Sequence, residues 1–141
     1  MLAKISIALT AIIGLFVCKA QTKLQIDYLG QKPPGMAAEL FAPDIVSTTS
    51  YEHSAPAFSP DGSVVLWTVV DSTFRGFLLE MKYVNGQWSK PARPSFADST
   101  ADDYYPSFSV DGTKLFFSSR RKLPPAYPQV GDIRIWVFFC I

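Results

Sequence analysis

Residues 52–68 read Glu52-His53-Ser54-Ala55-Pro56-Ala57-Phe58-Ser59-Pro60-Asp61-Gly62-Ser63-Val64-Val65-Leu66-Trp67-Thr68. Fifty positions later, residues 102–118 read Asp102-Asp103-Tyr104-Tyr105-Pro106-Ser107-Phe108-Ser109-Val110-Asp111-Gly112-Thr113-Lys114-Leu115-Phe116-Phe117-Ser118. The two stretches align without a gap. Identity falls on Pro56/Pro106, Phe58/Phe108, Ser59/Ser109, Asp61/Asp111 and Gly62/Gly112. An internal repeat of this period marks supersecondary units that stack on one another.

The chemistry of the repeat predicts a hairpin. Asp-Gly between two apolar runs is a strong turn signal, because glycine accepts a positive φ and aspartate tolerates one. The serine two residues before each aspartate is placed to bond the amides of the turn. Residues 64–70, Val-Val-Leu-Trp-Thr-Val-Val, are β-branched and aromatic, which predicts a strand buried on both faces. Residues 114–118 are its counterpart. Pro56 and Pro106 stand at the start of a short first strand, where a missing N–H is tolerated.

Outward from these cores, residues 76–84 form a further strand. Asn85-Gly86 then predicts a type I′ turn into residues 87–90. In the second copy residues 131–137 alternate in the same way after a longer loop. About four strands are expected in the first copy and three in the second. No stretch sustains a helical period, so the fold class is all-β after the N-terminal segment.

That segment has its own reading. Residues 1–4 are a short cationic start, residues 5–17 carry no charge, and Cys18-Lys19-Ala20 offers small residues at a cleavage site. This is the order of a secretory signal peptide, residues 1–20, and the apolar run is short for a membrane span. Export to the periplasm or the medium follows, with cleavage after Ala20; lipidation of Cys18 is the alternative. No stable transmembrane span is expected after cleavage. With Cys18 removed, Cys140 has no partner for a disulfide, and no Cys/His spacing suits zinc.

Composition narrows the function classes. Of 141 residues, 14% are aromatic and 18% charged, enough apolar matter for a core. Beyond residue 20, eleven basic side chains face twelve acidic ones, so nothing marks a nucleic-acid or anionic-membrane surface. No Gly-x-Ser-x-Gly elbow, P-loop or Gly-x-Gly-x-x-Gly is present. His53 is the one histidine and has no companions for a triad or a metal. The reading is therefore no enzyme, no cofactor and no metal.

The stretches 56–62 and 106–112 resemble the core of the WD40-like (PD40) repeat of TolB-type β-propellers. The resemblance spans about residues 51–138, two blades' worth, with Val110 replacing the usual proline. Residues 21–50, with Lys32-Pro33-Pro34-Gly35, are similar to the extended lead-in of envelope proteins in this group. The resemblance implies a partial propeller over residues 51–141, about two four-stranded antiparallel blades with the second incomplete. Such rings commonly hold six or more blades, so a truncated propeller, or one completed by self-assembly, is expected.

The resemblance also implies a function and a place to look for it. The implied function is a non-enzymatic protein-binding or scaffold module of the bacterial cell envelope, with a protein partner there. The alternatives are the propeller part of a prolyl-oligopeptidase-like hydrolase lacking its catalytic domain, or a calcium-dependent propeller acting on carbohydrate. In propellers the loop before the innermost strand faces the channel mouth. Glu52, His53, Asp102, Asp103 and Tyr104 occupy that loop and are the expected binding residues. Tyr51, Tyr104 and Tyr105 have two readings, an aromatic platform for sugar stacking and, more commonly for such residues, packing between blades.

Overall fold

The structure, a computed structural model, describes residues 28–33, 35–122 and 125, and the backbone of 134–139. The signal-peptide reading and the first part of the lead-in lie outside these residues. Within them the fold is all-β and antiparallel, with a sheet curled into a half-barrel. The helical content is a single 3-10 turn, Tyr28–Gly30.

The first repeat builds one sheet. β1 (Tyr51–Glu52) and β2 (Ala57–Phe58) are two pieces that both pair with β3 (Val64–Val70). β3 pairs with β4 (Gly76–Val84) from Val64↔Lys82 to Val70↔Gly76, and β4 pairs with β5 (Gln87–Trp88). Taking β1 and β2 as one broken strand, there are four strand positions, as the sequence predicts. The second repeat builds a sheet of three: β6 (Asp103–Phe108), β7 (Lys114–Ser119) and β8 (Arg134–Phe139), in that order.

The two repeat turns are near copies in their bonding. Gly62 N–H donates to Ser59 O at 2.7 Å, and Gly112 N–H to Ser109 O at 2.9 Å. Ser59 Oγ donates to Asp61 Oδ1 and accepts from Val64 N–H; Ser109 Oγ does the same with Asp111 and Lys114. Each aspartate also accepts the N–H two residues on, from Ser63 and from Thr113. Only the glycines use the left-handed region, with φ of 74° and 72°. The aspartates act as side-chain acceptors that close the turn. At the tip of β4–β5, Asn85 and Gly86 take φ of 53° and 83°, the pair of positive values that a type I′ turn requires.

β3 is buried on both faces, and different partners cover them. Val65, Trp67 and Val69 face Ala42 and Val46 of the lead-in, together with Met81 of β4. Leu66 and Leu78 face Leu115 and Phe117 of the second sheet, with Phe96 and Phe108 closing the edges. Burying each of these large side chains contributes roughly 1.5–3 kcal/mol. The lead-in is thus not simply extended. Val46 N–H bonds back to Ala42 O at 2.9 Å, and Gln31 bridges to Ala42 N–H and Leu40 O, so residues 40–47 form a tight cover on the sheet.

The repeats are not perfect copies at their outer ends. β6 carries a register shift between Tyr104 and Ser107, and Tyr105 sits within it at φ 56°. This irregularity, a β-bulge, re-aims side chains. Its position decides what lies between the sheets at the end described next.

Candidate functional site

Where the outer ends of β1, β3 and β6 meet, they enclose an open cleft of about 400 Å³. Its lining is Tyr51, His53, Val70, Phe74, Tyr104, Tyr105 and Arg120. Tyr51 ends a two-residue strand paired with Val70, which fixes its backbone while its ring stays 70% exposed. Phe74 stands on the turn between β3 and β4 at φ 62°, 79% exposed. That turn is pinned by Asp71, whose carboxylate accepts from Thr73 N–H, Thr73 Oγ1 and Arg75 N–H. These bonds, the Thr73 hydroxyl first, hold the Asp71 carboxyl below its ordinary range.

The two tyrosines of the bulge play different parts. Tyr104 is buried, its Oη accepting from Gly76 N–H at 3.2 Å and donating toward Phe74 O at 3.5 Å. Tyr105 is half-exposed, and its backbone N–H donates to Oγ1 of the fully buried Thr68 at 3.0 Å. Its phenol meets His53 Nε2 at 2.9 Å. The rings of His53, Tyr104 and Tyr105 touch one another at centroid distances of 5.5–5.9 Å and at inclined angles. They make one faceted aromatic wall rather than two parallel walls with a slot between.

The acidic residues expected at a channel mouth have other duties. Asp102 is buried and shared between two guanidinium groups, with Arg75 Nε at 2.9 Å and Arg120 Nη1 at 3.4 Å. Its hydrogen bond to Asp102 holds the Arg75 guanidinium above its ordinary pKa. Asp103 is buried as well, accepting from Ser119 Oγ at 2.5 Å and pairing with Arg121 Nη2 at 2.7 Å. Glu52 is exposed, but its carboxylate accepts from Thr48 N–H and Oγ1 and is absent from the cleft lining. Asp102 and Asp103 are therefore held in ion pairs, and Glu52 is held on Thr48.

Of the five residues singled out in the sequence, the fold brings His53 and Tyr104 together at the cleft. Tyr51 and Tyr105 line it as well. Phe74 and Arg120 were missed. Phe74 lies in a turn whose exposure has no local signal, and Arg120 sits in an Arg-Arg-Lys run with no pattern of its own.

Among the described residues no group of His, Cys, Asp and Glu is placed to hold a metal ion. No helix among them is long and apolar enough to cross a membrane. The cleft presents aromatic faces, a phenol–imidazole pair and one guanidinium.

No model of a known protein family matches the chain, and no curated protein matches it.

Proposed function

We propose that this chain is a non-enzymatic binding or scaffold module of the bacterial cell envelope, and that the tyrosine cleft is its recognition surface. One observation carries the reading. Large aromatic side chains stand exposed together on a junction held by two sheets, the buried Asp103–Arg121 pair and the Asp102 contacts to Arg75 and Arg120. Aromatic rings lose little freedom on contact and provide large area, which makes such clusters effective in recognition. A partner protein is the ligand class that a module of this kind serves.

The propeller reading belongs to the same proposal. The matching turn bonds at Ser59-Asp61-Gly62 and Ser109-Asp111-Gly112 and the stacking of the two sheets through Leu66, Leu78, Leu115 and Phe117 support taking each repeat as a WD40-like blade. The charge and apolar order of residues 1–20 supports export. Cell fractionation of a tagged chain tests that part: protein confined to the cytoplasm overturns it.

Amide hydrogen exchange, with and without an extract of bacterial envelope proteins, tests the recognition surface. Protection is expected in residues 51–54, 70–75 and 102–106, and to be lost in Tyr105→Ala. An unprotected cleft in the wild-type chain overturns the reading.

A further inference from the structure

We propose that the cleft takes an extended segment of a partner protein, seating one apolar side chain on the aromatic wall and an acidic side chain against Arg120. The inference rests on the cleft being the recognition surface and adds the chemistry of its occupant.

The aromatic wall sets the first requirement. Tyr51, Phe74, Tyr104 and Tyr105 with Val70 give a mostly apolar concavity, of the size that holds a side chain and its neighbours. The rings of His53, Tyr104 and Tyr105 already contact one another, so a flat base cannot enter between those three. One-sided packing of a proline or aliphatic side chain suits such a wall, as in the docking of extended proline-rich segments on aromatic grooves.

Charge sets the second requirement. Among the described residues the lining holds one guanidinium, that of Arg120, and no carboxylate. The carboxylates nearby are already engaged. Asp71 is turned into its own loop, Glu52 onto Thr48, and Asp102 lies closer to Arg75, at 2.9 Å, than to Arg120, at 3.4 Å. Two guanidinium groups thus share Asp102, and Arg120 is the one that lines the cleft, its side chain 51% exposed. An arginine has five donors in a planar fork that matches a carboxylate. Among the described residues the fork makes one contact, to Asp102 at 3.4 Å, which leaves most of it for a ligand. Backbone groups of the segment find the Tyr105 phenol and His53.

The test is selection from a library of N-acetylated, C-amidated hexapeptides by the full chain, followed by titration of the selected peptides against their Glu→Gln twins. Blocked ends ensure that the acid read is a side chain and not a free C-terminus. Peptides with glutamate or aspartate within two residues of a proline or aliphatic residue are expected to be enriched. The glutamate form is expected to bind about fivefold tighter than its glutamine twin, the scale of a half-exposed ion pair. Arg120→Gln removes that preference and keeps the apolar selection, whereas Tyr105→Ala removes both; a melting curve confirms that each variant is folded.

Enrichment of basic or uncharged peptides overturns the proposal, and so does an acid preference that survives Arg120→Gln. If no peptide is selected while the envelope extract still protects the cleft, the peptide inference falls and the recognition surface stands. Protection that persists after exhaustive proteolysis of the extract and removal of the released peptides points to a glycan and likewise overturns it. If the extract gives no protection, the recognition surface itself is lost.

Discussion

The hydroxyl of Tyr104 accepts a hydrogen bond from the backbone N–H of Gly76, and its ring lies where a β-carbon at position 76 would fall. Glycine is required at the start of β4 by this close approach and not by backbone conformation. Tyr104 is itself buried between the sheets, so its ring has little room to withdraw.

Gly76→Ala is therefore expected to destabilise the chain by about 1–3 kcal/mol, the usual cost of overpacking. Denaturant unfolding measures it. Pairing Gly76→Ala with Tyr104→Ala, which makes room, tests the cause: the two costs are expected to be strongly non-additive. Additive costs would place the strain elsewhere.

The repeat turns give a pH dependence. The Asp111 carboxyl is held at about 2, chiefly by the Ser109 hydroxyl and then by the Thr113 N–H; Asp61 is lowered in the same sense, first by Ser59. A folded-state value below the unfolded one contributes stability above pH about 4 and loses it as pH falls toward 2. Stability measured across this window is expected to drop, and the Asp61→Asn, Asp111→Asn double variant to flatten the drop. An NMR titration midpoint for Asp111 near 4 would mean that the turn bonds are not formed in solution.

The buried pair Asp103–Arg121 makes a third expectation. Asp103→Ala removes the carboxylate that accepts from Ser119 Oγ and pairs with Arg121 Nη2, at a site largely closed to water; Arg121 Nη2 keeps its bond to Phe96 O. The expected loss is about 3–5 kcal/mol, the usual cost of breaking a buried pair by removing one partner. Replacing Asp103 and Arg121 together by apolar residues is expected to recover part of it. A loss below about 1 kcal/mol for the single variant would show that water reaches the pair.

The lead-in supplies a fourth. Val46 is 3% exposed against Val65, Trp67 and Val69. Val46→Asp places an unpaired carboxylate on the sheet and is expected to cost several kcal/mol, or to release residues 40–47 from it. Hydrogen exchange separates the two outcomes: release exposes β3 on one face only and leaves the contact of Leu66 with the second sheet intact. Unchanged stability with an unchanged exchange pattern would mean that the lead-in does not pack there.

How much of this was legible in the sequence depended on the range of the interaction. The hairpin turns, the Asn85-Gly86 turn and the strands 64–70 and 76–84 are decided within a few residues, by φ preferences and β-branched runs, and they lie where the sequence puts them. The partners of Asp102 and Asp103 are not local. Arg75 is 27 residues before Asp102, and Arg121 is 18 residues after Asp103, so nothing near either aspartate announces a buried pair. Aligning Asp102-Asp103 with Glu52-His53 also assumed equal registers. The partners across the hairpin show otherwise: Glu52 faces Val69, whereas Asp103, one position further along its repeat, faces the equivalent Ser119. The cleft was half legible, because tyrosines announce themselves while the turn that exposes Phe74 does not.

The irregularity at Tyr105 has a bearing on the solubility of the chain. β6 is the outer strand of its sheet among the described residues, and an outer strand ordinarily displays N–H groups that can recruit a foreign strand. Here the Tyr105 N–H is taken by Thr68 of the neighbouring sheet, and the next residue, Pro106, has none to offer. Two successive positions on that margin are thereby closed to strand recruitment. A Thr68→Val chain, which frees one of them, would be the first to form β-rich aggregates on storage.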